Sequence, residues 1–198
     1  MTASYLSHLL CSGCGEKYSH EELHTFCPVC QSPLLSVYDL KKARGSVDRE
    51  EIARRKKGMW RWEEFLPVLH RENQIFLGEG DTPLLTLPRL QQELGLTNLV
   101  VKDESSNPTG PFKARGLAAA VSKAKELGVE KAIIPTAGNA GGAMAAYAAR
   151  AGLRAHIFMP KDTPLANIEE SRMTGAEVIL VDGLISDAAG MAGIKARE

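Results

Sequence analysis

Residues Ala132 to Met159 read AIIPTAGNAGGAMAAYAARAGLRAHIFM. A short apolar run, Ala132 to Ile134, gives way to a proline and a glycine-bearing loop. Gly141 to Ala151 is then a stretch rich in small residues and free of proline, and Ala155 to Met159 is apolar again. Run length and flanking turn residues make this strand, helix, strand. The same alternation continues both ways: Leu99 to Lys102 reads as a strand and Phe112 to Leu127 as a helix. Downstream, Leu165 to Met173 reads as a helix, Glu177 to Val181 as a strand, and Ser186 onward as another helix. The fold class is therefore α/β, with right-handed βαβ units, a mainly parallel sheet and helices on both of its faces.

Sheets of this kind place ligands beyond the carboxyl ends of their strands, where loops lead into helix N-termini. Two loops there carry unusual residues. Ser105-Ser-Asn-Pro-Thr-Gly-Pro-Phe-Lys113 sets a lysine in the first turn of a helix. A cation at that position opposes the helix dipole, and the field favours the neutral amine from which a Schiff base is made. Thr136-Ala-Gly-Asn-Ala-Gly-Gly142 opens the next helix. Its glycines allow a ligand close to the backbone, and the free amides behind them suit a carboxylate. The same glycines serve equally well to pack a helix closely on a sheet.

All four cysteines fall within the first thirty residues, as Cys11-Ser-Gly-Cys14 and Cys27-Pro-Val-Cys30. Two CxxC knuckles, with a stretch between them long enough for a short hairpin, match the spacing of a zinc site. Four thiolates close a tetrahedral shell and leave no position for water, so zinc on Cys11, Cys14, Cys27 and Cys30 is expected to be structural. His20 and His24 lie between the knuckles and are expected to be exposed hairpin residues.

Between the two regions, residues 38–70 interleave charges of both signs, which predicts a solvated helix broken near Gly58. Trp60, Trp62 and Phe65 are expected to anchor that segment on the main body. Gly78-Glu-Gly-Asp-Thr-Pro83 marks a tight loop. The organisation expected is thus a zinc ribbon over 1–38, a helical linker over 39–98 and an α/β domain over 99–198. Lys+Arg 24 against Asp+Glu 24 leaves a formal net charge of +0, which gives no electrostatic case for nucleic acid or an anionic membrane. Small molecules or other subunits are the expected partners. With no apolar run of membrane-spanning length, the chain reads as cytoplasmic.

The segments Gly78-Glu-Gly-Asp-Thr-Pro-Leu84, Lys102-Asp-Glu-Ser-Ser-Asn-Pro-Thr-Gly-Pro-Phe-Lys-Ala-Arg-Gly116 and Thr136-Ala-Gly-Asn-Ala-Gly-Gly-Ala-Met-Ala-Ala-Tyr147 together resemble the fold type II pyridoxal-phosphate enzymes, most closely threonine synthases. Many threonine synthases carry an N-terminal extension similar to the cysteine module here. The resemblance implies pyridoxal 5'-phosphate as cofactor, held by a Schiff base at Lys113, with Asn139 bonded to its ring hydroxyl. It implies that Thr136, Ala137, Gly138, Asn139 and Ala140 hold the substrate carboxylate. The implied reaction converts O-phosphohomoserine and water to threonine and phosphate, and Lys113 is the implied proton carrier; a homodimer is one assembly it allows.

Pro111 departs from the pattern, standing where the family commonly has a serine. The resemblance implies that the phosphate loop and pyridine-nitrogen partner lie in a later part that family members carry and these 198 residues do not show, so this stretch alone is expected to be an inactive N-terminal portion. A cysteate synthase or threonine dehydratase would share Lys113 and Asn139. A non-catalytic zinc-ribbon remnant would share only the scaffold.

Overall fold

The computed structural model describes residues 3–197. At the N-terminus β1 (Leu6–Cys11), β2 (Lys17–Tyr18) and β3 (Leu34–Tyr38) form an antiparallel sheet in the order β2-β1-β3. The first cysteine knuckle is the turn between β1 and β2, and the second precedes β3.

The charge-rich stretch is not one broken helix. It forms α1 (Leu40–Ser46) and α2 (Arg49–Arg54), followed by 3-10 turns at Met59–Phe65 and Arg71–Asn73. Asp39 and Asp48 cap the two helices by accepting the amides of Lys42 and Glu50 at 3.0 and 2.7 Å. Such side-chain caps satisfy orphan amides and fix where each helix starts. The charged residues of α1 and α2 are exposed, as a solvated stretch requires, while several beyond the helices bridge segments. Arg55 spans Glu51 at 2.9 Å and Glu64 at 2.6 Å, and Arg71 grips Glu63. Both Glu63 and Glu64 are buried. Of the three expected aromatic anchors only Trp60 serves as one, packing on the core with its indole N–H on the Ile75 carbonyl at 2.9 Å. Trp62 and Phe65 are exposed.

Next come β4 (Leu84–Thr86), α3 (Pro88–Leu94) and β5 (Val100–Lys102). The strand read at Leu99 to Lys102 exists, but it pairs antiparallel with β4 and takes no part in the parallel sheet. The parallel sheet is built from α4 (Lys113–Glu126), β6 (Lys131–Pro135), α5 (Asn139–Ala151), β7 (Arg154–Pro160), α6 (Leu165–Met173), β8 (Glu177–Val181) and α7 (Ile185–Lys195). Its strand order is β6-β7-β8.

Central β7 shows why helices cover both faces. Ile157 and Met159 pack with Ala145 of α5 and Ile168 of α6, whereas Phe158, between them, packs with Ala188 and Ala192 of α7. That is the period-2 alternation of a strand buried on both sides. Helix α4 forms a further layer, its Ala114, Ala118 and Val121 resting on Met144, Tyr147 and Ala148 of α5. Burying each large side chain in this core contributes about 1.5–3 kcal/mol.

The N-terminal sheet is fastened to this body through the linker. Ala3 and Tyr5 donate their amides to Leu69 and Glu64 carbonyls at 2.7 and 2.9 Å. Leu69 and His70 in turn donate to the Glu126 carboxylate of α4, each at 2.8 Å, and Ile75 donates to the Ser122 hydroxyl at 2.8 Å. A cavity of about 290 Å³ separates the module from α4, lined by Leu9, His20 and His24 on one side and Ala120, Lys123 and Leu127 on the other.

Candidate cofactor site and cysteine centre

Lys113 is the first residue of α4 and is exposed. Its ammonium lies 5.0 Å from the Phe112 ring centroid, and it makes no ion pair among the described residues. Just before it the chain bends through two left-handed residues, Thr109 at φ 64 and Gly110 at φ 81. A threonine rarely adopts that conformation, so the surrounding contacts hold it there against its own preference. Its hydroxyl oxygen is buried without a partner among the described residues.

The chain on either side of this bend is tied to the 78–83 loop. Asn107 accepts the Gly80 amide at 3.2 Å and donates to the Glu104 carboxylate at 2.8 Å. Glu104 also accepts both arms of Arg115, at 2.6 and 2.9 Å, and the Thr82 hydroxyl at 2.6 Å. Arg115 follows Lys113 by two residues, so the clamp fixes the start of α4. The Arg115 fork, then Thr82, hold the Glu104 carboxyl at about 2, well below its reference 4.5. A depressed carboxylate contributes stability above its unfolded pKa, and that contribution is lost as pH falls through the folded value. We therefore expect wild-type stability to drop between pH 4.5 and about 2, and Glu104→Gln to be less stable at pH 7 with a flatter profile across that window. Thermal midpoints against pH check this; an unchanged midpoint at pH 7 would remove the clamp from the account.

The second loop leaves the carboxyl end of β6. Thr136 is buried, its amide on the Phe158 carbonyl at 2.9 Å and its hydroxyl accepting the Gly138 amide at 3.2 Å. Ala137 is exposed and Gly138 buried; Asn139 begins α5 with its carboxamide exposed and unpaired among the described residues. The amides of Asn139 and Ala140 likewise find no acceptor there. The loop thus presents donors without partners at the positive end of a helix, an arrangement that favours an anion.

Two of its glycines serve packing. A Cβ on Gly141 would lie 2.6 Å from Met159 Cε, and one on Gly142 would strike the Glu170 carboxylate. The structure also places a residue missed in the sequence: the Asn167 side chain of α6 lies against Gly138, where a Cβ would come within 3.0 Å of its nitrogen. Behind the loop, Tyr147 of α5 donates to Glu79 at 2.6 Å, both side chains being fully buried. Burial and then the Glu79 carboxylate push the Tyr147 hydroxyl well above its usual range, so it stays a donor.

The four cysteine sulfurs lie within 4.8 Å of one another, with Cys11 and Cys30 at 3.3 Å and Cys14 and Cys27 at 3.6 Å. A tetrahedron with metal–sulfur bonds of about 2.3 Å has edges of roughly 3.8 Å, so the set fits zinc. No disulfide links them. Backbone amides of Gly13 and Cys14 point at Cys11 Sγ, both at 3.3 Å. The two histidines stay outside the cluster but are half-buried against the α4 cavity, not exposed as expected.

An unpaired amine at Lys113, an unpaired carboxamide at Asn139 and free amides at the start of α5 are the groups an aldehyde cofactor and an amino-acid carboxylate would engage, so the residues present fit pyridoxal phosphate. Comparison with known proteins agrees. The family description "Pyridoxal-phosphate dependent enzyme" matches residues 75–198. The chain belongs to this family.

The matched span includes the 78–83 loop, Lys113 and Asn139 and leaves the cysteine module outside. Among curated relatives in this family, a threonine synthase of Methanocaldococcus jannaschii is 37% identical over 189 residues, 95% of this chain and 46% of its own length. A threonine synthase of Halalkalibacterium halodurans is 45% identical over 123 residues, 62% of this chain and 34% of its own. Among solved structures, diaminopropionate ammonia lyase from Escherichia coli superposes with a TM-score of 0.57 at 26% identity, covering 63% of this chain and 37% of that one. The chain spans less than half the length of these relatives. Among the described residues no helix is long and apolar enough to cross a membrane.

Proposed function

We propose that the chain forms the lysine-bearing portion of a threonine synthase, which converts O-phosphohomoserine and water to threonine and phosphate. The observation that carries this reading is that Lys113 and Asn139, each unpaired among the described residues, begin two helices that pack on one another, in a chain related to threonine synthases over nearly its whole length. When bound, pyridoxal phosphate supplies an electron sink for the carbanions of elimination and hydration. Lys113 anchors the cofactor and moves protons at its amine. Asn139 donates to the cofactor's ring oxygen. The free amides and side chains over Thr136 to Ala140 orient the substrate carboxylate, and the Glu104–Arg115 clamp keeps the Lys113 helix in place against them. Zinc on Cys11, Cys14, Cys27 and Cys30 has a structural role in a ribbon over 1–38, ahead of a linker over 39–98 and the α/β part over 99–198. The small-molecule substrate implies no nucleic-acid or membrane partner; a cytoplasmic homodimer is the setting we propose.

The deciding assay uses the complete protein containing this chain. Phosphate released from O-phosphohomoserine with matching threonine supports the reading. Ammonia released from threonine, with no phosphate from O-phosphohomoserine, would reassign the protein to a dehydratase.

A further inference from the structure

Tyr18 sits at the end of β2, opposite Leu9 of β1, outside both cysteine knuckles. Its hydroxyl lies 3.1 Å from Cys27 Sγ, and Cys27 is the fully buried member of the cluster. Its ring meets His24 at a centroid distance of 5.2 Å, tilted by 52°. His24 in turn lines the cavity against α4, with Lys123 and Leu127 across from it. One side chain therefore touches a candidate metal ligand at its tip and, at its ring, the histidine that lines the seam between the module and the lysine-bearing helix.

A buried thiolate is costly unless its charge is met by a metal or by donors. Four thiolates on a divalent ion leave two net negative charges, and the sulfurs whose lone pairs receive N–H or O–H groups carry that excess best. Cys11 receives backbone amides of its own knuckle. For Cys27, Tyr18 adds a side chain held by a different strand, so the hydroxyl also fixes where this sulfur points.

We propose that Tyr18 is the outer-shell partner of the zinc centre: its hydroxyl donates to the Cys27 thiolate and thereby governs how tightly the metal is held. The proposal rests on the reading that the four cysteines bind zinc. Groups that support first-sphere ligands typically change metal affinity by about 10–100-fold when removed. A purely structural Tyr18 would act through its ring, which phenylalanine keeps.

The test compares parent, Tyr18→Phe and His24→Ala proteins loaded with one zinc, following transfer of the metal to a chromogenic chelator. Tyr18→Phe should lose zinc about 10–100-fold faster or bind it that much more weakly. His24→Ala should stay within about 2-fold of the parent. In cobalt-substituted protein, Tyr18→Phe should shift the sulfur-to-metal charge-transfer band, a readout that ring packing does not move. If Tyr18→Phe fails to fold, 3-fluorotyrosine at position 18 keeps ring and hydroxyl while strengthening the donor, and release must follow it. Parent-like release and an unshifted cobalt band in Tyr18→Phe, or release indifferent to fluorination, overturn the proposal. A parent that binds no zinc is a different result: it overturns the metal reading itself and this inference with it.

Discussion

In the complete protein, Lys113→Ala is expected to abolish the visible absorbance of bound cofactor and to lower turnover by at least about 10²–10⁴-fold, the contribution of a positioned proton carrier alone. Loss of the covalent anchor adds to this. Borohydride followed by peptide mapping should place the cofactor on Lys113 in the parent and nowhere in the variant. The nearby alternatives are already engaged. Lys102 donates to the Thr82 carbonyl at 2.6 Å, and Lys123 pairs with Glu126 at 2.6 Å with that carboxylate nearly buried. Either would have to give up a short bond before its amine could react, whereas Lys113 has none to give up. A label on Lys102 or Lys123 would falsify the assignment.

The second large effect is expected at the cysteine centre. Replacing Cys11, Cys14, Cys27 and Cys30 together by serine should reduce bound zinc from one per chain to none. Structural zinc in small modules is worth about 10–16 kcal/mol of apparent binding free energy, and the sheet β2-β1-β3 has little to set in its place. Its buried apolar groups are Leu6 and two of the cysteines themselves. Hydrogen exchange should therefore rise over the first forty residues while β6, β7 and β8 keep their protection. Zinc retained at the parental level in the quadruple variant would show that the metal sits elsewhere.

The alternation of apolar runs and small-residue helices from Ala132 onward was legible because β7 is buried on both faces, so its burial is written in consecutive residues rather than in partner choice. Val100–Lys102 shows the limit of that signal. Periodicity reports that a segment is extended, but the pairing with Leu84–Thr86, sixteen residues earlier, depends on how the intervening α3 turns the chain back. In the charge-rich stretch the sequence shows the signs of the charges and not their distances. Arg55 reaching Glu64 across a 3-10 turn is invisible in a helical wheel.

At the candidate site the same division holds. Lys113 and Asn139 are local features, each marked by a turn-forming loop and the helix after it. Gly141 and Gly142 were ambiguous between ligand approach and packing, and only the positions of Met159 and Glu170 decide for packing. The Glu79–Tyr147 pair joins residues 68 apart, and Asn167 meets Gly138 from another helix. Nothing in either neighbourhood of sequence announces such a meeting. The strain at Thr109 is equally silent, since threonine is an ordinary residue in most loops.

The bonds from Leu69, His70 and Ile75 to α4 have a consequence for how the chain is made. Their acceptors, Ser122 and Glu126, are about fifty residues later, so on the ribosome these amides leave the exit tunnel well before anything can receive them. Domains synthesised N-terminal first can settle first. The cysteine module is local enough to close on a metal at that stage, whereas the linker must wait, hydrated, until α4 emerges. Nascent chains halted before and after α4 has left the tunnel should therefore differ in protease sensitivity at the linker and not at the module.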